Sequence, residues 1–308
     1  MRKGRVVVLT NRKGGIGKTT DNDMLAIVAS QLFHKKVLLI DYDLQHNTTS
    51  NMATTFNFSE FRESFGLGVV NEDWERAIVQ LSPYLYLIPG SDTSEQINQW
   101  ISDKYPAPRN RRKQYLVFVD QLNRLRESFD YIFFDCPPST DQTVKAFLTA
   151  ADYVVPLQEL KRFAMDGTDE FLNKVLVPIV EAFPEETKVQ VIGLLPVLFS
   201  PRRKNQKKNL EKTREIYGTT NIFHTIIKGS DRLEGYGETG IQLNDYIDRR
   251  MWAVFADVFA ELESRIQYYE ENGDMEGFHY ELKFANSEYN HTLPGGKEIE
   301  INGIVTAQ

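Results

Sequence analysis

The stretch Arg5-Val6-Val7-Val8-Leu9-Thr10-Asn11-Arg12-Lys13-Gly14-Gly15-Ile16-Gly17-Lys18-Thr19-Thr20 decides the fold. Val6 to Leu9 form an unbroken apolar, mostly β-branched run, the mark of a strand buried on both faces. Glycines follow, and then a segment of helical period from Thr19 to His34. A strand that turns through glycines into a helix aims backbone N–H groups and a helix N-terminus at one point, which suits a phosphate. Lys18 brings positive charge to β- and γ-phosphates, the Thr19 hydroxyl is placed to ligate Mg2+, and Thr20 reaches the α-phosphate side. Gly14, Gly15, Ile16, Gly17, Lys18, Thr19 and Thr20 are therefore the candidate nucleotide-binding residues. The ordinary pattern G-x-x-x-x-G-K-[ST] does not fit, because Arg12 stands where its first glycine belongs. The loop is a variant that opens on Lys13 and two glycines.

Outward from this loop, strand-like runs at Lys36–Asp41, Leu85–Pro89, Tyr131–Asp135, Tyr153–Leu157, Val189–Leu195 and Ile222–Thr225 alternate with helical segments. The helices are expected at Lys113–Ser128, Asp141–Thr149, Asp166–Ala182, Lys204–Tyr217 and Asp248–Tyr268. In the last, Trp252, Phe255, Ala256, Phe259 and Leu262 share one face. The alternation predicts an α/β fold of the P-loop NTPase class, a mostly parallel twisted sheet with helices on both faces. Ser91–Lys113, with Pro106, Pro108 and the run Arg109–Lys113, reads as an exposed basic connection. Two runs carry carboxylates just past a strand end: Asp41 and Asp43 in one, Asp135 in the other. In an open α/β sheet ligands bind at that edge. Phosphoryl transfer to water needs a metal near the γ-phosphate and a group that orients the water, and an aspartate there serves either need.

Hydrophobic residues make up 41% and charged residues 26% of the 308, the balance of an ordinary globular protein rather than a rod, a collagen or a disordered chain. No apolar stretch is long enough to span a membrane, and Met1–Gly4 leads directly into the first strand, with no signal peptide. Cys136 is the single cysteine, so neither a disulfide nor a cysteine-based metal site is available within the chain. A cytoplasmic protein is expected. The net charge of −7 is unevenly distributed: residues 268–308 hold eight acids against Lys283 and Lys297, leaving the remainder close to neutral. The chain thus divides into residues 1–267 and an acidic extension, 268–308. In the extension, His279–Phe284, a Pro294-Gly295-Gly296 turn signal and Glu298–Val305 fit either a hairpin or a mobile segment.

Together these segments resemble the deviant Walker A ATPases, and within them the ParA partition ATPases. Lys13–Thr20 matches the deviant Walker A box, Asp41-Tyr42-Asp43-Leu44-Gln45 with Asn47-Thr48-Thr49 the A′ box, and Phe134–Ser139 the Walker B segment. The Asp21-Asn22 continuation and the Asp-Leu-Gln form of the A′ box look most like the Delta ATPases of Gram-positive plasmids. The resemblance implies ATP and Mg2+ as ligands and a homodimer in which Lys13 reaches the partner's ATP. It makes Lys13, Lys18 and Asp43 catalytic, with Asp43 orienting the water. Thr19, Asp41 and Asp135 would serve the metal. It places adenine between the Pro196–Phe199 loop and Lys228–Asp231. Asp21, in the first helical turn, must point away from the phosphates.

The resemblance further implies ATP-dependent binding to non-specific DNA, a nucleoid-associated location, and a small centromere-binding ParB-type partner that stimulates hydrolysis. The residues suited to DNA phosphates are Arg202, Arg203, Lys204, Lys207 and Lys208, because cations at a helix start oppose the helix dipole and do not serve the helix itself. Arg232 is the position where the family tends to place another such arginine, and Arg249 and Arg250 could extend the stripe. The rival reading is a MinD-like positioning ATPase of protein or membrane cargo, which calls for a basic amphipathic C-terminal helix. Here the C-terminal residues are acidic, and no membrane attachment is expected.

Overall fold

In the computed structural model, the described residues are 4–285 and Leu293, with the side chains of 162–166 left aside. Strand β1 (Arg5–Thr10) runs into the glycine loop and helix α1 (Lys18–Gln31), followed by β2 (Val37–Asp41), α2 (Asn47–Phe56) and α3 (Phe65–Val70). Next come β3 (Val79–Gln80), β4 (Leu85–Ile88), α4 (Gln96–Lys104), α5 (Arg111–Leu116), α6 (Val119–Leu125) and β5 (Tyr131–Asp135). The chain continues through α7 (Gln142–Ala150), β6 (Tyr153–Glu159), α8 (Arg162–Phe171), a π turn at Leu172–Leu176, and α9 (Val177–Ala182). It ends in β7 (Gln190–Val191), β8 (Leu195–Val197), α10 (Lys204–Tyr217), α11 (Asp231–Thr239) and α12 (Tyr246–Asn272). Among the described residues no helix is long and apolar enough to cross a membrane.

The strand order is β3-β4-β2-β5-β1-β6-β7, with β8 beside the far end of β6 and only β3 antiparallel. This is the expected α/β, mostly parallel sheet. Its strands alternate residue by residue between two cores. Val7, Leu9, Leu39 and Phe133 face a cluster with α1 and α12, while Val6, Val8, Leu38 and Phe134 face one with α4, α6 and α7. Both faces are therefore covered, which is why the strand sequences are continuously apolar. The sheet register sets Asp41 opposite Asp135 on adjacent strands. The loop after β1 sits where the strand order reverses, with β5 on one side of β1 and β6 on the other.

Several expectations need correction. The segment Lys113–Ser128 is two helices, α5 and α6, and the Ser91–Lys113 connection contains α4, whose Ile97 and Ile101 are buried. The strand read at Val189–Leu195 breaks into β7 and β8 at Gly193, whose φ of 139° is left-handed territory. A Cβ on Gly193 would lie 2.8 Å from an Arg265 guanidinium nitrogen, so the backbone turns where that side chain needs room. Ile222–Thr225 forms no ladder strand; among the described residues, isolated bridges, Leu194 with Ile222 and Phe199 with Lys228, and the Ile227 N–H to the Pro196 carbonyl tie this edge to the sheet. The helix expected to stop at Tyr268 continues to Asn272, through the proposed 267/268 division, and Met275, Phe278 and Tyr280 pack on the same core. The turn at Pro294–Gly296 and the run Glu298–Val305 lie outside the described residues.

Side chains of α12 hold the irregular edge in place of a ladder. Glu261 accepts the Thr225 hydroxyl at 2.7 Å and the N–H groups of His224 and Thr225, each at 2.8 Å. Arg265, fully buried, pairs with Glu261 and donates to the carbonyls of Thr220 and Ile222, with its guanidinium stacked between Phe223 and Phe278. Burial lowers the Arg265 pKa, and the Glu261 charge opposes that shift. Arg265→Ala would strand the Glu261 carboxylate, and denaturant unfolding is expected to show a loss of about 3–5 kcal/mol. The paired replacement Glu261→Gln/Arg265→Met should lose less than Arg265→Ala alone; an equal or greater loss would show that the pair is not the fastening.

Candidate nucleotide site

The glycine loop is shaped as its sequence requires. Gly15 and Gly17 take φ values of 70° and 88°, Gly17 caps α1, and Ile16 is buried as the anchor beneath the loop. Among the described residues no acceptor takes the N–H groups of Gly14, Gly15, Ile16 or Gly17, and a Cβ on Gly14 or Gly15 would meet nothing within 4 Å. An open cradle of N–H donors at a helix start fits a polyphosphate. Helix α1 begins at Lys18, one residue before the expected start. The Lys18 ammonium is buried, donates to the Lys13 carbonyl at 3.2 Å, and loses basicity through burial while Asp135 and Asp43 restore part of it.

Around Lys18 stand the aspartates. Asp135 Oδ2 accepts the Thr19 hydroxyl at 2.9 Å and lies 3.1 Å from the Thr48 hydroxyl. Asp41 accepts the Thr49 N–H at 2.9 Å and hydroxyl at 2.6 Å, and the Asp43 N–H at 3.1 Å. Asp43 is half-buried, and one of its oxygens accepts the Gln45 N–H at 2.9 Å. Burial pushes both Asp41 and Asp135 up to about 7, reinforced for Asp41 by the charges of Asp23 and Asp43 and for Asp135 by those of Asp41 and Asp43. Among the described residues no cluster of three acidic, histidine or cysteine side chains could enclose a metal ion. The Thr19–Asp135 pair does fit Mg2+, which keeps waters and phosphate oxygens in its shell and needs few protein ligands.

Asp23, which the sequence reading passed over, joins this group. It is fully buried, burial raises its pKa to about 8, and its oxygens meet Thr48 at 2.7 Å and Asn51 Nδ2 at 2.8 Å. The single Thr48 hydroxyl proton cannot serve both Asp23 and Asp135; a neutral Asp23 carboxyl supplies the second proton. Thr48, Thr49 and Asn51 lie on α2, so this network ties α2 to α1 and to the end of β5. Asp21 is also buried, and its carboxyl lies 3.6 Å from a Cβ placed on Gly17, beside the loop and not turned away from it. Burial raises its pKa well above the ordinary carboxyl range.

Lys13 is held within its own chain. Its N–H donates to Asn11 Oδ1 at 2.6 Å, and its ammonium pairs with Glu159 at 2.5 Å. Burial alone would raise the Glu159 pKa, but hydrogen bonds from Lys13 and Lys161 outweigh it and hold the carboxylate below its usual range. A bridge between Phe199 and Lys228 brings together the two segments expected to flank adenine. The basic run behaves differently at its two proposed places. Arg202, Arg203, Lys204, Lys207 and Lys208 are exposed at the start of α10, with no acidic partner among the described residues. Arg232 is not free: it pairs with Asp245 at 2.7 Å and Asp248 at 2.8 Å at the start of α12.

Residues 4–184 match the family model described as an AAA domain. The chain belongs to that family. Within it, this member is 26% identical over 243 residues to the sporulation initiation inhibitor protein Soj of Bacillus subtilis, a match covering 75% of this chain and 86% of Soj. It is likewise 26% identical to the chromosome-partitioning ATPase Soj of Treponema pallidum, over 79% of this chain and 90% of that one. Among solved structures, apo McdA of Cyanothece matches with a TM-score of 0.69 at 21% identity, covering 85% of this chain and 99% of McdA. A putative plasmid partition protein of Borrelia burgdorferi bound to AMPPNP gives a TM-score of 0.62 at 23% identity, over 84% and 99% of the two chains. The structural likenesses bear on the fold, and the P-loop NTPase reading holds. The ParA-family resemblance holds with it; the narrower likeness to the Delta type has no support from these matches.

Asp23 supplies a test of the site's electrostatics. The native carboxyl keeps its proton up to about pH 8, whereas an unfolded aspartate loses it near 3.9. The native state thus binds the extra proton between those values, and stability falls as pH rises through that window, by at most about 1.4 kcal/mol per pH unit. Denaturant unfolding of the nucleotide-free protein at pH 5.5, 6.5 and 7.5 should show this decline. Asp23→Asn should flatten it by one proton's worth, and an unchanged slope would mean that Asp23 is ionised in the fold.

Proposed function

We propose that this protein is a Mg-dependent ATPase that works in DNA partition, binding non-specific DNA as an ATP-loaded homodimer. The observation that carries the reading is the set of five exposed cations at the start of α10, without an acidic partner among the described residues, in a chain whose glycine loop fits a nucleotide. In this reading the loop N–H groups and Lys18 bind the phosphates, and Thr19, backed by Asp135, holds Mg2+. The metal's contribution is to neutralise charge developing on the phosphates. Asp43, the most open of the aspartates, orients the attacking water. Asp41 fixes the A′ segment through Thr49 and the Asp43 N–H. Lys13 exchanges its own Glu159 for the partner's phosphates when two loaded faces meet. A small centromere-binding ParB-type protein stimulates hydrolysis and so releases the dimer, moving a plasmid or chromosome over the nucleoid.

The relatives' partition and ATPase names and the neighbour bound to AMPPNP support the reading. The rival reading is a positioning ATPase for protein or membrane cargo that needs no DNA. Mobility shifts on a mixed-sequence duplex, without nucleotide, with ADP and with ATP, separate the two. The DNA reading expects binding with ATP only, steeply weakened by salt. Lys207→Ala/Lys208→Ala should weaken it uniformly across sequences and reduce the salt slope by about one for each phosphate no longer neutralised. No binding under any nucleotide would leave the cargo reading in its place.

A further inference from the structure

Tyr42 lies between Asp41 and Asp43 and is 2% exposed. Its ring packs against Phe65 and Phe147, with centroids 6.2 and 5.7 Å away, in a cluster that a phenylalanine would fill equally well. The hydroxyl is costly in such a place unless it is hydrogen-bonded. Residues from separate parts of the chain meet that need. Tyr42 Oη donates to Asp141 Oδ2 at 3.2 Å and accepts from Asn98 Nδ2, on α4, at 3.1 Å. Asn98 Oδ1 in turn accepts the N–H and the hydroxyl of Thr143, on α7, at 3.0 and 2.9 Å. Burial, with the charge of Asp141 beside it, pushes the phenol's pKa above its ordinary value, so the group remains a donor.

Asp141 joins two segments of the nucleotide site. Its Oδ2 takes the Ser139 hydroxyl at 2.8 Å as well as that of Tyr42, and its Oδ1 caps α7 through the Val144 N–H at 2.9 Å. Ser139 belongs to the turn that follows Asp135 on β5, while Tyr42 immediately precedes Asp43. The Tyr42 N–H also donates to the Asp135 carbonyl at 3.0 Å. Asp43 has little of its own to hold it: among the described residues no side chain hydrogen-bonds its carboxylate, which accepts the Gln45 N–H. Its direction is therefore inherited from the backbone on either side, and the nearest anchored side chain is that of Tyr42. We propose that Tyr42, Asn98 and Asp141 are positioning residues for ATP hydrolysis, locking the Asp43 segment to the Asp135 segment so that the Asp43 carboxylate is aimed at the attacking water. This rests on the water-orienting role given to Asp43 above.

Tyr42→Phe keeps the ring and removes the hydroxyl, so it separates packing from positioning. Single-turnover hydrolysis of Mg·ATP by the full chain should slow about ten-fold, while AMPPNP affinity by calorimetry stays within about two-fold of native. Affinity for ADP with aluminium fluoride, a mimic of the transition state, should fall along with the rate. Asn98→Ala should slow hydrolysis in the same way. The double variant Asn98→Ala/Tyr42→Phe should be no slower than the slower single one, since both remove the same connection. An unchanged rate in Tyr42→Phe overturns the proposal. So does a loss of AMPPNP affinity as large as the loss of rate, which would make the hydroxyl a general support of the pocket. Asp43→Asn is measured beside them. If it hydrolyses ATP at the native rate, or if the native chain does not hydrolyse ATP, the reading of Asp43 fails and takes the proposal with it. If Asp43→Asn is inactive and Tyr42→Phe is native, the positioning claim alone is wrong.

Discussion

Four carboxylates, those of Asp23, Asp41, Asp43 and Asp135, gather beside the glycine loop, with Asp43 and Asp135 in electrostatic reach of Lys18, and the rest of the site is arranged around the cost of keeping them there. Burying carboxylates together is unfavourable unless they are hydrogen-bonded, neutralised by a cation or protonated. All three remedies are present. Thr19, Thr48 and Thr49 donate hydroxyl protons, Lys18 contributes charge, and Asp23 retains its proton at neutral pH. The register that sets Asp41 beside Asp135 makes the crowding unavoidable, because adjacent parallel strands end at the same edge.

From that constraint the surrounding structure follows in layers. Helix α2 is short and built from Asn, Thr and Ser, poor formers of an isolated helix. It forms because Thr48, Thr49 and Asn51 find carboxylate partners on three other elements. Tyr42, between Asp41 and Asp43, is buried with its hydroxyl near Asp141 and Asn98, which braces the A′ segment against the start of α7. On the opposite side Glu159, at the end of β6, holds Lys13 and Lys161 together. With Lys161 also on it, the Glu159 carboxylate does not depend on Lys13 alone for its counter-charge.

The order of legibility in the sequence has physical causes. The strands β1, β2, β5 and β6 and the glycine loop could be read directly, because burial on both faces leaves unbroken apolar runs and only glycine suits the loop. Asp41, Asp43 and Asp135 were legible as strand-end carboxylates. What escaped depends on distant partners. Helices α2, α4 and α11 owe their existence to packing and side-chain bonds rather than to propensity. The break at Gly193 depends on Arg265, far along the chain. Asp23 looks like any helical residue until α2 covers it. Arg232 reads as a free cation in sequence, and only the fold brings Asp245 and Asp248 onto it.

The central claim is that the glycine loop and Lys18 form a site for a magnesium nucleotide. Calorimetric titration of Mg·ATP into the full chain and into Lys18→Ala, at neutral pH and moderate salt, tests it most directly. The account predicts saturable one-to-one binding by the full chain, weakened at least ten-fold by the substitution and again when Mg2+ is withheld. Equal affinity in both proteins, or no binding to either, would contradict it.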